Sequence, residues 1–106
     1  MAVDQTILDE IVRRVLAVAR PERIIVFGSA VTGEMTKDSD IDLLVVEPGP
    51  VNAHERSVEL RDAVGNIGYP VDVIVIPADR FERTKALIGG IAYPANKYGR
   101  VLYAAA

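Results

Sequence analysis

Two aspartates separated by one residue stand at the start of an apolar run and are the clearest candidates for chemistry. Asp40 and Asp42 directly precede the Leu-Leu-Val-Val run of residues 43–46, which is typical of a buried strand. Because strand side chains alternate between faces, both carboxylates should project from one face, about 7 Å apart. Paired carboxylates suit one or two Mg²⁺ ions, which typically bind one or two acids together with phosphate oxygens. The pair therefore predicts metal-dependent phosphate chemistry.

A turn of small residues precedes the acid pair. The apolar run of residues 24–27 ends at Gly28 and Ser29. Glycine permits close approach of the backbone to a ligand, and a serine hydroxyl with nearby amide N–H groups can bind phosphate oxygens. A plain turn is the alternative if the acid pair is ignored. If the turn and the acids share a site, the strand before the turn and the strand after the acids must be antiparallel.

A third acid interrupts another apolar run. Asp72 is the only polar residue of the Val-Asp-Val-Ile-Val-Ile run at residues 71–76, and strand interiors are depleted in aspartate. A buried and isolated carboxylate would cost several kcal/mol. Asp72 should therefore be an exposed strand start, pair with an arginine such as Arg23, or act as a further metal ligand and general base. Together with the acid pair, the last interpretation is favoured.

Composition limits the remaining classes of function. A chain of 106 residues without cysteine and with one histidine is expected to form a single domain (1–106), without disulfides, thiolate sites or a His-rich zinc site. No apolar run is long enough for a membrane span and the start of the chain does not resemble a signal peptide, so we expect a cytoplasmic protein. The net charge of −3 argues against direct nucleic-acid binding, and a phosphate ligand would need a metal.

The periodicity of apolar residues, together with capping, glycine and proline residues, predicts a mixed α/β (α+β) fold. Helices are predicted from a cap at Asp4 to about residue 20, from a cap at Asn52 to residue 64, from a cap at Asp79 to residue 87 or 88, and over residues 94–98; strands are predicted at 23–27, 41–46, 71–76 and 101–103. Val58 is expected on the apolar side of the second of these helices, which would form a crossover between parallel strands. The result is a mixed sheet of three to four strands packed against helices.

Other phosphate motifs fit less well. The Gly28-x4-Gly33 spacing matches half of a P-loop, but Glu34 and Met35 stand where Lys and Ser or Thr are required. In phosphatases with an aspartyl nucleophile the acids follow a strand, whereas here the apolar run comes after them. An acid pair of the sugar-transferase kind usually lies in a far larger domain.

The pattern Gly-Ser, ten residues, Asp-Ile-Asp resembles the signature of the DNA-polymerase-β-like nucleotidyltransferase superfamily. Within it, a short chain with Ser39 before Asp40 and with Asp72 as a third acid is similar to the minimal nucleotidyltransferases (MNT), the antitoxins of HEPN–MNT toxin–antitoxin pairs. The resemblance implies the polymerase-β-like fold. It also implies nucleotide binding by Gly28, Ser29 and Ser39, and catalysis by Asp40, Asp42 and Asp72, which would ligate two Mg²⁺ ions.

By the same resemblance, the protein would be a protein adenylyltransferase. It would transfer AMP from ATP to a hydroxyl, for an antitoxin a tyrosine of a HEPN ribonuclease encoded by a neighbouring gene, and a second copy or the partner would complete the site. The chain departs from the family at Ala30, where many members carry arginine. A non-catalytic antitoxin that acts by occlusion is therefore an alternative, and transfer to a small molecule such as an aminoglycoside is a third.

Overall fold

Four strands form one mixed sheet in the order β3-β2-β1-β4 in the computed structural model, which describes residues 3–33, 36 and 38–105. The strands are β1 (Arg23–Phe27), β2 (Ile41–Glu47), β3 (Val71–Pro77) and β4 (Arg100–Ala104). β1 pairs antiparallel with both β2 and β4, and β2 pairs parallel with β3. The predicted class and strand directions are confirmed, and the tail contributes the fourth strand.

Helices cover both faces of the sheet. They are α1 (Gln5–Leu16), α2 (Ser29–Thr32), α3 (Ala53–Val64), α4 (Ala78–Thr84) and α5 (Ala92–Tyr98). Asp4 and Asn52 cap α1 and α3 as predicted, accepting hydrogen bonds from the amides of Thr6 at 2.8 Å and Glu55 at 3.1 Å. None of the described helices has the length and apolar character needed to cross a membrane.

Alternating strand residues belong to two apolar layers, one on each face of the sheet. Residues such as Ile24, Leu43 and Val73 pack against α1 and α3, whereas Ile25, Leu44 and Ile76 pack against α4 and α5. Each fully buried aliphatic side chain contributes roughly 1.5–3 kcal/mol. Because β2 lies between β1 and β3 and is covered on both faces, it is apolar from Leu43 to Val46, as its sequence predicts.

The predicted end of α1 and the predicted start of α4 were wrong. α1 ends at Leu16 rather than near residue 20, because the Val18 amide bonds back to Val15 in a tighter turn. The Arg20 guanidinium then caps the carbonyls of Leu16 and Ala19, both at 3.0 Å. α4 begins after Pro77, so Asp79 lies within its first turn instead of capping it.

The predicted end of α4 and the predicted burial of Val58 were also wrong. α4 ends at Thr84, well before residues 87 and 88, and the hydroxyl of Thr84 donates to the Arg80 carbonyl at 2.7 Å. Val58 is 41% exposed, whereas Ser57 is buried. A buried serine is accommodated in α3 because its hydroxyl donates to the His54 carbonyl at 2.7 Å.

Candidate active site

Three acids lie at one end of the sheet, where β2 and β3 begin. Asp42 and Asp72 are register partners on these parallel strands, so their side chains are neighbours on the face that α4 and α5 cover further along. Asp40 lies directly before β2. Asp42 and Asp72 are half-buried and Asp40 is exposed. The structure therefore places together the three acids that the sequence singles out.

The backbone of Gly28 lies against one of these acids. Phe27 is the register partner of Asp42, so Gly28 continues β1 past the acid pair. Gly28 has φ +74° and ψ −148°, a backbone conformation that residues other than glycine rarely adopt. A Cβ at Gly28 would lie 2.6 Å from Asp42 Oδ2. Only a glycine therefore allows this turn and this carboxylate to approach so closely.

The turn leads directly into α2. The Gly28 carbonyl accepts hydrogen bonds from the amides of Val31 at 3.0 Å and Thr32 at 3.2 Å. Ser29 is the first residue of this short helix, and Ala30 is buried in the core layer formed with α1 and α3. The structure thus gives a physical reason for the alanine: its methyl group faces the core, where a long cationic side chain would have to displace its neighbours.

Negative charge accumulates at Asp42. Burial, then the charge of Asp72, then that of Asp40 raise the pKa of the Asp42 carboxyl above its ordinary value. Such a raised pKa shows that the ionised form is disfavoured where it lies, and a bound cation would reverse that effect. Clustered carboxylates with perturbed pKa values are typical of functional sites.

The donor set has the chemistry of a site for a hard cation. Carboxylate oxygens are the ligands that Mg²⁺ prefers, and the acids are close enough for two of them to perturb the third. In residues 3–33, 36 and 38–105, however, no three His, Cys, Asp or Glu side chains already converge as a set of metal ligands.

Asp72 has an arginine partner, which is Arg61 rather than Arg23. Arg61 Nη2 lies 3.5 Å from Asp72 Oδ1, with both side chains about half exposed (52% and 49%). Arg23 instead places its guanidinium 5.8 Å from the centre of the Phe81 ring. An exposed pair of this kind contributes only about 0.2–1 kcal/mol. Arg61 can therefore leave Asp72 at little cost.

Periodicity did not single out Arg61. It lies in the last turn of α3, the helix that crosses over to β3. A signal for it existed, because a cation near the C-terminus of a crossover helix falls close to the start of the next strand. Its contact with Asp72 depends on how α3 packs.

Ser39 forms hydrogen bonds within the loop before the acids. Its Oγ accepts a hydrogen bond from the Thr36 amide at 3.0 Å and lies 3.2 Å from Thr36 Oγ1. The Ser39 amide in turn donates to the Thr36 carbonyl at 3.1 Å. This small ring orders the approach to Asp40. Glu34 and Met35, on which the P-loop was excluded, lie outside the described residues.

The fold and this arrangement define a class of protein. Residues 5–93 match the Nucleotidyltransferase domain family. Since this match covers most of the sequence, the chain belongs to the nucleotidyltransferase domain family. A comparison with curated protein sequences gives no significant match.

Two solved structures share the fold. One is from Sulfolobus solfataricus, is described as a candidate nucleotidyltransferase, and has 22% sequence identity and a TM-score of 0.63, with 93% of this chain and 78% of that chain covered. The other is a toxin–antitoxin structure with AMP-PNP, with 17% identity and a TM-score of 0.59, covering 92% of this chain and 73% of that one. At these identities the likeness concerns the fold.

Proposed function

We propose that the protein transfers AMP from ATP to a hydroxyl group of a partner protein, and that the acceptor is a tyrosine of a HEPN-type ribonuclease toxin. The protein would then be a cytoplasmic antitoxin that silences its partner by covalent modification. Membership of the nucleotidyltransferase domain family supports the reaction class. The likeness in fold to a toxin–antitoxin structure with AMP-PNP motivates the choice of nucleotide and partner.

One observation carries the proposal. Asp42 and Asp72 are register partners on parallel strands, and Asp42 also lies against the backbone of Gly28. Two acids and an open turn thus meet at one place. The raised pKa of Asp42, caused by burial and by the charges of Asp72 and Asp40, indicates a site that needs a cation.

Asp40, Asp42 and Asp72 would hold two Mg²⁺ ions. When bound, the metal supplies neutralisation of the triphosphate charge and of the pyrophosphate leaving group. Gly28 would let the turn approach the phosphates, and Ser29 would bind them through its hydroxyl and amide. Ser39 would keep the loop before Asp40 in place, consistent with its bonds to Thr36.

The transfer itself needs a proton acceptor. The acceptor oxygen would form a bond to the α-phosphorus while the bond from that phosphorus to the bridging oxygen of the β-phosphate breaks and pyrophosphate leaves. Asp72 would accept the hydroxyl proton, because it lies at the edge of the sheet and is half exposed to an incoming group. Arg61 must first release Asp72.

A mass measurement tests the reaction. We expect the protein, mixed with ATP, Mg²⁺ and the product of the neighbouring gene, to add one AMP group to that partner. Asp42→Ala should abolish the adduct. Asp79→Asn is the matched control, because Asp79 is an exposed acid on α4 that pairs with Arg83 at 3.8 Å; it should leave the adduct intact.

A non-catalytic antitoxin remains a second candidate, favoured by the buried Ala30 and by the Arg61 contact with Asp72. It predicts that the partner is neutralised without any adduct and that Asp42→Ala has no effect. That pair of results would refute the enzymatic proposal. Transfer of AMP to an aminoglycoside but not to the partner would favour the small-molecule alternative.

A further inference from the structure

The outer edge of β3 is open to an added strand. β3 lies at one edge of the sheet, and in the described part of the chain it pairs only with β2. Half of its backbone N–H and C=O groups therefore point away from the sheet. Open edges of this kind are templates for pairing with another extended chain.

A groove of about 210 Å³ runs along this edge. Four consecutive residues of β3 line it, from Ile74 to Pro77. The groove is also lined by Ala53 of α3 and Ala92 of α5, which pack on opposite faces of the sheet, so it opens at the edge of the strand.

The walls of the groove indicate the chemistry of its occupant. Arg80, Thr84 and Ile91 form the side contributed by α4 and the connection to α5. In the part of the chain that the structure describes, the exposed Arg80 side chain has no ion pair or hydrogen bond, whereas Arg83 on the same helix pairs with Asp79. An arginine without a partner beside an apolar groove suits an acidic residue set among apolar ones.

Apolar surface continues beside this wall. Leu87 and Ile88, which precede the groove residues Gly90 and Ile91, are 60% and 85% exposed. Adjacent apolar side chains of this size and exposure form a small apolar surface of the kind that a partner can cover. The open strand edge, the unpaired arginine and the apolar loop therefore occur together.

The groove also leads to the acids. Ile74 and Asp72 lie on the same face of β3, two residues and about 7 Å apart. A segment paired with β3 over residues 74–77 would reach Asp72 by extending two or three residues further. We propose that the open edge of β3 binds an extended, acidic segment of a partner protein and so guides the acceptor residue to Asp72. The guiding role rests on the proposed function, whereas the docking does not.

Peptide binding tests the docking without nucleotide or metal. Random octapeptides displayed on phage are selected on the immobilised protein, and a selected peptide is titrated into ¹⁵N-labelled protein. We expect enrichment of acidic residues among β-branched ones, and shifts of the amides of residues 74–76 and 80. N-methylation of alternate peptide amides should weaken binding about tenfold, because it removes two or three backbone hydrogen bonds.

Two charge reversals on one helix supply the matched control. Arg80→Glu should weaken binding about three- to tenfold, whereas Arg83→Glu, which lies outside the groove, should change it less than twofold. The docking proposal is overturned if no peptide is enriched, if Arg80→Glu binds as wild type does, or if the shifts lie elsewhere. A dimer of the free protein with β3 amides protected from exchange would also overturn it, since a second copy would then be the occupant.

The two proposals can fail separately. Peptide binding that depends on Arg80, without any AMP adduct on the partner, leaves the docking site and removes the transfer. An AMP adduct formed at the wild-type rate by Arg80→Glu leaves the transfer and removes the guiding role of the groove.

Discussion

At the scale of residues, Asp42 is the group on which the site converges. It is the register partner of Phe27 on one side and of Asp72 on the other. Its carboxylate also contacts the turn at Gly28. One side chain is therefore subject to backbone contact, burial and like charge at the same time, so its titration and its neighbours offer direct tests.

Asp42→Asn should stabilise the metal-free protein at neutral pH. The raised pKa of Asp42 means that its protonated form favours the fold below the pKa of the unfolded chain, and that this contribution is lost as the pH rises through the folded-state pKa. Asparagine stays neutral throughout. We expect a melting temperature about 1–3 °C higher than wild type at pH 7 in EDTA, a modest rise because the side chain is partly solvated.

At pH 3 the difference should shrink, since the wild-type carboxyl is then mostly protonated. Asp79→Asn, with its exposed carboxylate, should give no gain at either pH. A wild type as stable as Asp42→Asn at pH 7 would contradict the assigned cause of the pKa shift.

Gly28→Ala and Gly33→Ala form an instructive pair. Both glycines have positive φ, +74° and +83°, but among the described residues a Cβ at Gly28 would meet another atom within 4 Å and one at Gly33 would not. Gly33 adopts the left-handed helical conformation, so its alanine variant should lose about 1 kcal/mol. Gly28 adopts a conformation restricted to glycine, so its variant should lose about 2–3 kcal/mol. Urea unfolding measures both losses, and equal losses would disprove the assignment.

At the scale of elements, a buried ion pair joins the end of β2 to α3. Arg56 Nε lies 3.0 Å from Glu47 Oε1, and the Glu47 side chain is only 8% exposed. Arg56 also pairs with Glu59 at 2.9 Å and donates to the Val18 carbonyl at 3.2 Å. This cluster lies at the end of the sheet opposite the acids, so it anchors the crossover helix without taking part in the site.

Glu47→Ala should cost about 3 kcal/mol, because it leaves Arg56 partly buried without its main partner. The double variant with Arg56→Met should recover part of that loss. Denaturant unfolding of the two single variants and the double variant gives the coupling energy. A double variant whose loss equals the sum of the single losses would show that the two side chains do not interact.

At the scale of the whole molecule, the site is built from two halves of the chain. Gly28, Asp40 and Asp42 come from the β1–β2 hairpin, whereas Asp72 arrives after α3. A ligand that contacts all of them should link the two halves and stabilise the entire fold. Ligand-induced stability therefore tests the site without measuring turnover.

Mg²⁺ with ATP at a hundredfold excess over its dissociation constant should stabilise the protein by about 2.7 kcal/mol. ATP with EDTA should stabilise it much less, because the clustered carboxylates repel an uncompensated triphosphate. Asp42→Ala should abolish the metal-dependent part. Equal thermal shifts with and without Mg²⁺ would contradict a metal-mediated site.

The sequence by itself determined the α/β class, the strand directions and the three candidate acids. These features depend on local signals: apolar runs of strand length, caps such as Asp4 and Asn52, and carboxylates at strand starts. Such signals persist in the tertiary structure because each acts within a few residues. Strand directions followed because the acids and the Gly28 turn had to share one end of the sheet.

Only the tertiary structure decided which groups meet across elements. The pairing of Asp72 with Arg61 instead of Arg23 and the burial of Ser57 in place of Val58 both depend on how α3 packs on the sheet. The open edge of β3 depends on the strand order. The physical reason is the same in each case: these contacts join residues distant in sequence, and local propensity carries no information about them.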